Sequence, residues 1–251
     1  MFFLVDRPIV FLLVSLAILW LSAQFGAFVR HRRHPGPLDG EDDYGLVLGA
    51  TLTLLGLLIG FTFSMAANRY DQRKNYEEEE ANAIGTEYVR ADLLPPADAA
   101  KVRTLLHEYL DVRIVYYSRM TDEQERQNNV ATVNLQAQLW AAITPAVNAE
   151  PTTPRALVAS GMNDVLNRQG YTQAAFLNRV PIAAWLLMIL IAIFTNILLG
   201  YRAKGKARIM FSILPIALAI SFFLVADIDT PRHGVITVHP QNLEILANSL
   251  K

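Results

Sequence analysis

Three groups of residues in this chain have types and spacings suited to more than folding. Glu77, Glu78, Glu79 and Glu80 form an unbroken run of carboxylates, preceded by Asn68, Arg69, Tyr70, Asp71, Gln72, Arg73 and Lys74. Consecutive acids point all round a helix and cannot converge on one metal ion within a single chain. Standing alone they make a solvated face; gathered about an axis shared by several copies they make an acidic ring, which favours cations at a pore mouth. Gly45, Gly49, Gly56 and Gly60, with Thr51, Thr53 and Thr62 among them, lie in an apolar run. Their steps of four and seven place the glycines near one helical face. Such a face suits either close packing on another helix or the wall of a narrow pore, with Leu57, Ile59, Phe61 or Phe63 as an apolar constriction. Asp227 and Asp229 precede Pro231 and Gly234, a pattern that reads as a helix stop or as charge placed at a functional membrane edge.

Other chemistries are poorly provided for. The chain has no cysteine, which excludes disulfides, thiolate nucleophiles and cysteine-based metal sites. His31, His34, His107, His233 and His239 show no H-E-x-x-H spacing, and neither G-x-S-x-G nor a phosphate-cradling glycine loop occurs. No catalytic group, metal or cofactor is expected, and the chain reads as a non-enzyme. A net charge of -1 with no basic, aromatic-interleaved stripe sets nucleic acid aside as a partner.

What must position these residues is a set of membrane helices. Residues 8–28, 44–67, 180–201 and 209–226 are apolar runs near the ~20 residues that cross a bilayer as a helix. Hydrophobic residues make up 53% of the chain and charged ones 18%, the latter almost all outside the runs. The predicted fold is all-α: four transmembrane helices with a helical extramembrane domain inserted between spans two and three. The boundaries are 8–67 for the first two spans, 68–179 for the insert, 180–228 for the last two spans, and 229–251 for a C-terminal tail. The first run is longer than the apolar core of a secretion signal, and residues 22–25 make a poor cleavage site, so it reads as a retained span. The partner is thus a lipid bilayer, with the protein multi-pass in the cytoplasmic (inner) membrane.

Within the insert, span two is expected to run on past Ala67, with Ala81, Ile84, Tyr88 and Ala91 at helical spacing, until Leu94-Pro95-Pro96 stops it. A second helix carries Val102, Leu105, Leu106, Tyr109, Leu110 and Val112 to Tyr116 and Tyr117. Thr121 and Gln124 make a capping box for a third, with Val130, Val133, Ala137, Trp140 and Thr144 as its stripe, and Thr153 reads as an N-cap before Pro154. Residues 235–238 are β-like but too few for a sheet. Asn196 and Pro215, inside spans three and four, read as packing features.

Two spans before the insert and two after put both termini and the insert on one side. Arg30, Arg32 and Arg33, with Arg202, Lys204, Lys206 and Arg208, would draw the two short linkers into the cytoplasm, whereas Arg69, Arg73, Lys74 and Arg179 flank the insert. The sidedness stays open on charge alone.

The stretch 61–70, continuing to Asn82, resembles the signature closing the second span of bacterial bestrophins. Gly60-Phe61-Thr62-Phe63-Ser64, residues 80–86, and Asp229-Thr230-Pro231 with Gly234 are similar to a bacterial bestrophin-like family across nearly the whole chain. The resemblance implies a homo-oligomeric, pentameric ion channel for an inorganic ion, with span two lining the pore and the insert forming a cytosolic helical vestibule. It points to Arg69, Asp71, Glu77, Glu80 and Asn82 as residues of the pore mouth or domain. The sequence departs from the bestrophin signature at Asp71, where an aromatic is usual, and reduces the acidic cluster of calcium-gated relatives to Asp227 and Asp229. The competing expectation is a non-conducting membrane scaffold or envelope sensor whose insert binds a partner.

Overall fold

The computed structural model describes residues 5–33, 41–202 and 210–250. Eight α-helices occur among them: α1 (Pro8–Arg33), α2 (Glu41–Arg90), α3 (Pro96–Tyr116), α4 (Asp122–Ala149), α5 (Thr153–Leu177), α6 (Ile182–Arg202), α7 (Met210–Asp229) and α8 (Gln241–Ser249). A 3₁₀ turn, Ala91–Leu93, closes α2. The described residues contain no strand, and 235–238 is irregular. The protein is all-helical, with four helices long and apolar enough to cross a membrane. Most of both linkers, residues 34–40 and 203–209, lies outside the described residues.

Helix α2 is a single run of 50 residues. With no Gly or Pro between Phe61 and Ile84, no backbone position breaks its hydrogen-bond ladder where apolar sequence gives way to charged sequence. Pro95 and Pro96 set the stop, and Pro96 opens α3 at the first helical position, where its missing N–H costs nothing.

The chain forms two compact units. The first comprises Met1–Asn68 and Arg179–Thr237. Its core is Phe11, Leu19, Leu55, Trp185, Met188 and Phe222, each essentially inaccessible to solvent. Trp185 is held edge-on by Phe11 at 5.3 Å and Phe222 at 6.4 Å between ring centroids. The closest backbone approach is at two glycines absent from the expected set. A Cβ at Gly26 of α1 would overlap the Ile197 carbonyl, and one at Gly200 of α6 would overlap the Ala23 carbonyl. Small residues let helices meet this closely in a membrane, where dispersion contacts rather than water exclusion hold them together. Asn196 is buried in α6, donating to the Ala192 carbonyl at 2.7 Å, and Pro215 lies within α7.

The second unit comprises Arg69–Asn178 and Val238–Lys251. Ile84, Val102, Leu106, Tyr109, Leu110, Leu139, Val158, Met162 and Leu243 form its core. Each such side chain contributes about 1.5–3 kcal/mol through burial. The capping box at Thr121 is present, with Gln124 answering the Thr121 backbone at 2.9 Å. Two expectations are corrected. Thr152, not Thr153, is the N-cap of α5, which moves Pro154 one position into the first turn. On α4 the buried stripe is Asn128, Thr132, Leu135, Leu139, Ile143 and Ala146, while Val130, Val133, Ala137 and Trp140 face outward. The two stripes are offset by less than half a turn, and the buried one includes two polar residues, Asn128 and Thr132.

Candidate functional site: the open face of the long helix

Within the first unit, α2 turns Leu55, Thr62 and Ala66 inward. The Thr62 hydroxyl returns to the Leu58 carbonyl at 2.7 Å, which satisfies it inside the apolar layer. Gly49, Thr53, Gly56, Gly60 and Ser64 lie on the opposite side and are exposed. A Cβ added at Gly49, Gly56 or Gly60 would meet nothing within 4 Å, whereas one at Gly45 would meet the Arg202 guanidinium at 2.9 Å. Among the described residues, Gly45 alone of the four glycines has a neighbour within 4 Å of such a Cβ.

The candidate constriction residues divide between two flanks of this face. Leu57 and Phe61 are four apart and share one flank; Ile59 and Phe63 share the other. Phe61 is 64% exposed and Leu57 53%, against 38% for Phe63, and Ile59 is half-buried.

Within the second unit, α2 is amphipathic in an unusual way, because its inward stripe is charged. Arg73, Glu77, Glu80 and Glu87 are buried. Arg73 donates to the carbonyls of Ala175 and Asn178, both at 3.1 Å, and so neutralises the C-terminal end of α5. Glu77 accepts from the backbone N–H groups of Asn242 at 2.8 Å and Leu243 at 2.9 Å, and from the Asn242 amide at 2.7 Å. A carboxylate at the N-terminus of α8 is both a cap and a favourable charge for the helix dipole. Glu80 pairs with Arg113 at 2.5 Å and takes a bond from Thr172 Oγ1 at 3.0 Å. Burial by itself would lower the Arg113 pKa, but Glu80 and its neighbours hold it up. Burial and the same carboxylate push the Tyr109 and Tyr117 hydroxyls well above their ordinary values. Glu79 pairs with Arg168.

The glutamate run is therefore only partly solvated. Glu77 and Glu80 are consumed in holding the unit together, and Glu78 stays in water. Asp71, Lys74, Asn75, Glu78 and Asn82 are exposed on the outer side of this half of α2, while Arg69 is half-buried.

At the exit of α7, Asp227 accepts from the N–H groups of Val235 at 2.7 Å and Ile236 at 2.8 Å. Asp229 accepts from Val180 N–H at 3.1 Å, and Arg179 donates to its carbonyl at 3.2 Å and pairs with Asp6. A Cβ at Gly234 would come within 2.6 Å of the Asp227 carbonyl, so glycine is required there. Both acids are fasteners of a tight turn. No cluster of three or more His, Asp or Glu able to hold a metal ion occurs among the described residues.

Glu87 was not singled out from the sequence, although it falls seven residues after Glu80 and three after Ile84, on the same stripe. Gly26, Gly200 and Arg113 were also missed. Only their three-dimensional neighbours distinguish them from other small or charged helix residues.

The fold has close counterparts. A structure of a bacterial bestrophin homologue from Klebsiella pneumoniae, carrying a point substitution, is 13% identical and matches with a TM-score of 0.65 over 95% of this chain and 96% of its own. A second substituted form is 16% identical, with a TM-score of 0.66 over 95% and 93%. A structure of the same homologue phased on zinc is 15% identical, with a TM-score of 0.63 over 97% and 96%. No curated protein matches the sequence. The family model for the Bestrophin-like domain matches residues 9–243, and the chain belongs to that family.

Proposed function

We propose that this protein is an oligomeric ion channel whose pore is lined by the open face of α2. The observation that carries the reading is the open space at Gly49, Gly56 and Gly60, where no described residue lies within 4 Å of a built Cβ, on a helix whose opposite side is packed. A small-residue, hydroxyl-bearing face with no partner among the described residues suits a water path or a second copy. In the second unit, the exposed residues Asp71, Lys74, Asn75, Glu78 and Asn82 are assigned by this proposal to the pore mouth. Two carboxylates against one ammonium per copy then favour cations at the mouth. Leu57 and Phe61, on the more exposed flank, form the apolar constriction, which gates by dewetting.

The family resemblance implies a pentamer, an insert between spans two and three, and a cytosolic place for that insert; all are part of this proposal. So is residence in the inner membrane. The outward row Val130, Val133, Ala137 and Trp140 on α4 supports contact between copies, since apolar side chains of this size seldom cluster on an uncovered surface.

The test is the mass and axial structure of the protein purified in nanodiscs, combined with current in planar bilayers. A ring with an axial opening beside Gly56 and Gly60, and salt-dependent current, is expected. A monomer, or a ring whose axis is filled by other helices and passes no ions, refutes the proposal and leaves a non-conducting scaffold.

A further inference from the structure

Glu87 sits in the last turns of α2 with no solvent exposure, and neither of its carboxyl oxygens has a hydrogen-bond partner among the described residues. Every other buried glutamate on this helix is answered: Glu77 by backbone N–H groups and Glu80 by Arg113 and Thr172. A charged carboxylate cannot be left buried and unanswered without a large penalty, so the group must be neutral or must move. Its seat is provided by Gly161 of α5. A Cβ there would overlap both Glu87 Oε2 and the Arg90 guanidinium, so the missing side chain is what makes room for the carboxyl group.

We infer that Glu87 is a proton-operated latch between the end of α2 and α5. Protonated, it lies closed against Gly161; ionised, it leaves that seat for water or for Arg90 and loosens the contact between the two helices. The charges around it fit this division. Arg90, from its own helix, favours the ion, whereas Asp164, from α5, opposes it. Charged groups on the other helices of this unit are paired or exposed. Arg103 of α3 pairs with Asp92, Arg168 of α5 pairs with Glu79, and Glu244 of α8 is exposed. Burial, with Arg90 and Asp164 acting in opposite directions, raises the Glu87 pKa to about 8. The latch thus works in the neutral to mildly alkaline range, where an ordinary carboxylate is already fully ionised.

The sign follows from proton binding. Between the ordinary carboxylate value of 4.5 and about 8, the folded chain keeps a proton that the unfolded chain releases, so stability falls as pH rises and levels off above about 8. The equilibrium constant for unfolding should rise by up to about tenfold per pH unit through this window.

The test uses the full chain in detergent micelles, comparing wild type with Glu87→Gln by thermal unfolding from pH 5 to 9. Gln keeps the shape and cannot ionise. The midpoint of the variant minus that of wild type should grow steadily from pH 5 to about 8 and then stay flat; a constant difference overturns the latch. Infrared difference spectra provide a readout that a purely structural residue would not move. A protonated-carboxyl band should disappear near pH 8 in wild type and be missing in Glu87→Gln, and a wild-type chain without such a band overturns the inference. Should Glu87→Gln fail to fold, Asp164→Asn replaces it. Removing the opposing charge should shift the band's midpoint to lower pH, and an unmoved midpoint overturns the inference equally. None of these measurements depends on ion conduction.

Discussion

The Glu77 carboxylate accepts the backbone N–H of Leu243 at 2.9 Å across 166 residues of sequence, and this bond docks the short helix α8 onto the long helix α2. Glu77→Ala leaves the first N–H groups of α8 buried without an acceptor, at a cost of about 1–3 kcal/mol. A lower unfolding midpoint is expected, together with faster proteolytic trimming of the last residues, measured by intact mass after limited digestion. Unchanged trimming would show that apolar contacts of Leu243 and Ala247 suffice.

The pair Glu80–Arg113 is wholly buried. Removing one partner strands the other charge, so Glu80→Ala or Arg113→Ala should each destabilise the protein by about 3–5 kcal/mol. Replacing both with apolar residues of similar size should recover most of that loss. Thermal unfolding of the two single variants and the double variant measures the coupling, and additive losses would contradict it.

Gly200→Ala and Gly56→Ala should behave in opposite ways. At Gly200 the new methyl group would overlap the Ala23 carbonyl and force α1 and α6 apart, so a fall in stability of at least about 1–3 kcal/mol is expected. At Gly56 there is nothing to strike. The isolated fold should be unaffected or gain slightly from the helix propensity of Ala, and any change should show in oligomeric state or current. Comparing melting curves with native mass separates the two effects.

Leu57→Ala and Phe61→Ala should raise the current, because smaller side chains lower the barrier to wetting a constriction. Ile59→Ala and Phe63→Ala, on the other flank, should leave it near the wild-type level. Single-channel recording in planar bilayers decides this, and equal effects from both pairs would place the constriction elsewhere.

Much of this architecture was legible in the residues. The uninterrupted passage of α2 beyond Ala67 followed from the absence of breakers, its end from Pro95-Pro96, and the start of α4 from the Thr121 and Gln124 pair. Legibility failed where a hydrogen-bond partner or a distant neighbour decided the outcome. Val130 and Trp140 carry a stronger hydrophobic signal than Asn128 and Thr132, yet the latter pair is buried, because Asn128 donates to the Val112 carbonyl at 3.0 Å and Thr132 to its own helix at 2.8 Å. The small-residue pattern of α2 is more regular than Gly26 or Gly200, yet the close helix contact lies at the latter two. Glycine spacing reports that an approach is permitted, and says nothing about whether a neighbour is there. The glutamate run shows the same limit. Four identical residues differ in role solely through what the rest of the chain brings to them.

The second unit draws Val238–Lys251 from the far end of the chain to join Arg69–Asn178. During synthesis, α3, α4 and α5 emerge from the ribosome long before α8, with two apolar helices still to be delivered to the translocon. Until then Leu243 is missing from the core and Glu77 has nothing to cap. The unit can reach its finished form only after translation has passed α7, so its completion is tied to the synthesis of the whole chain.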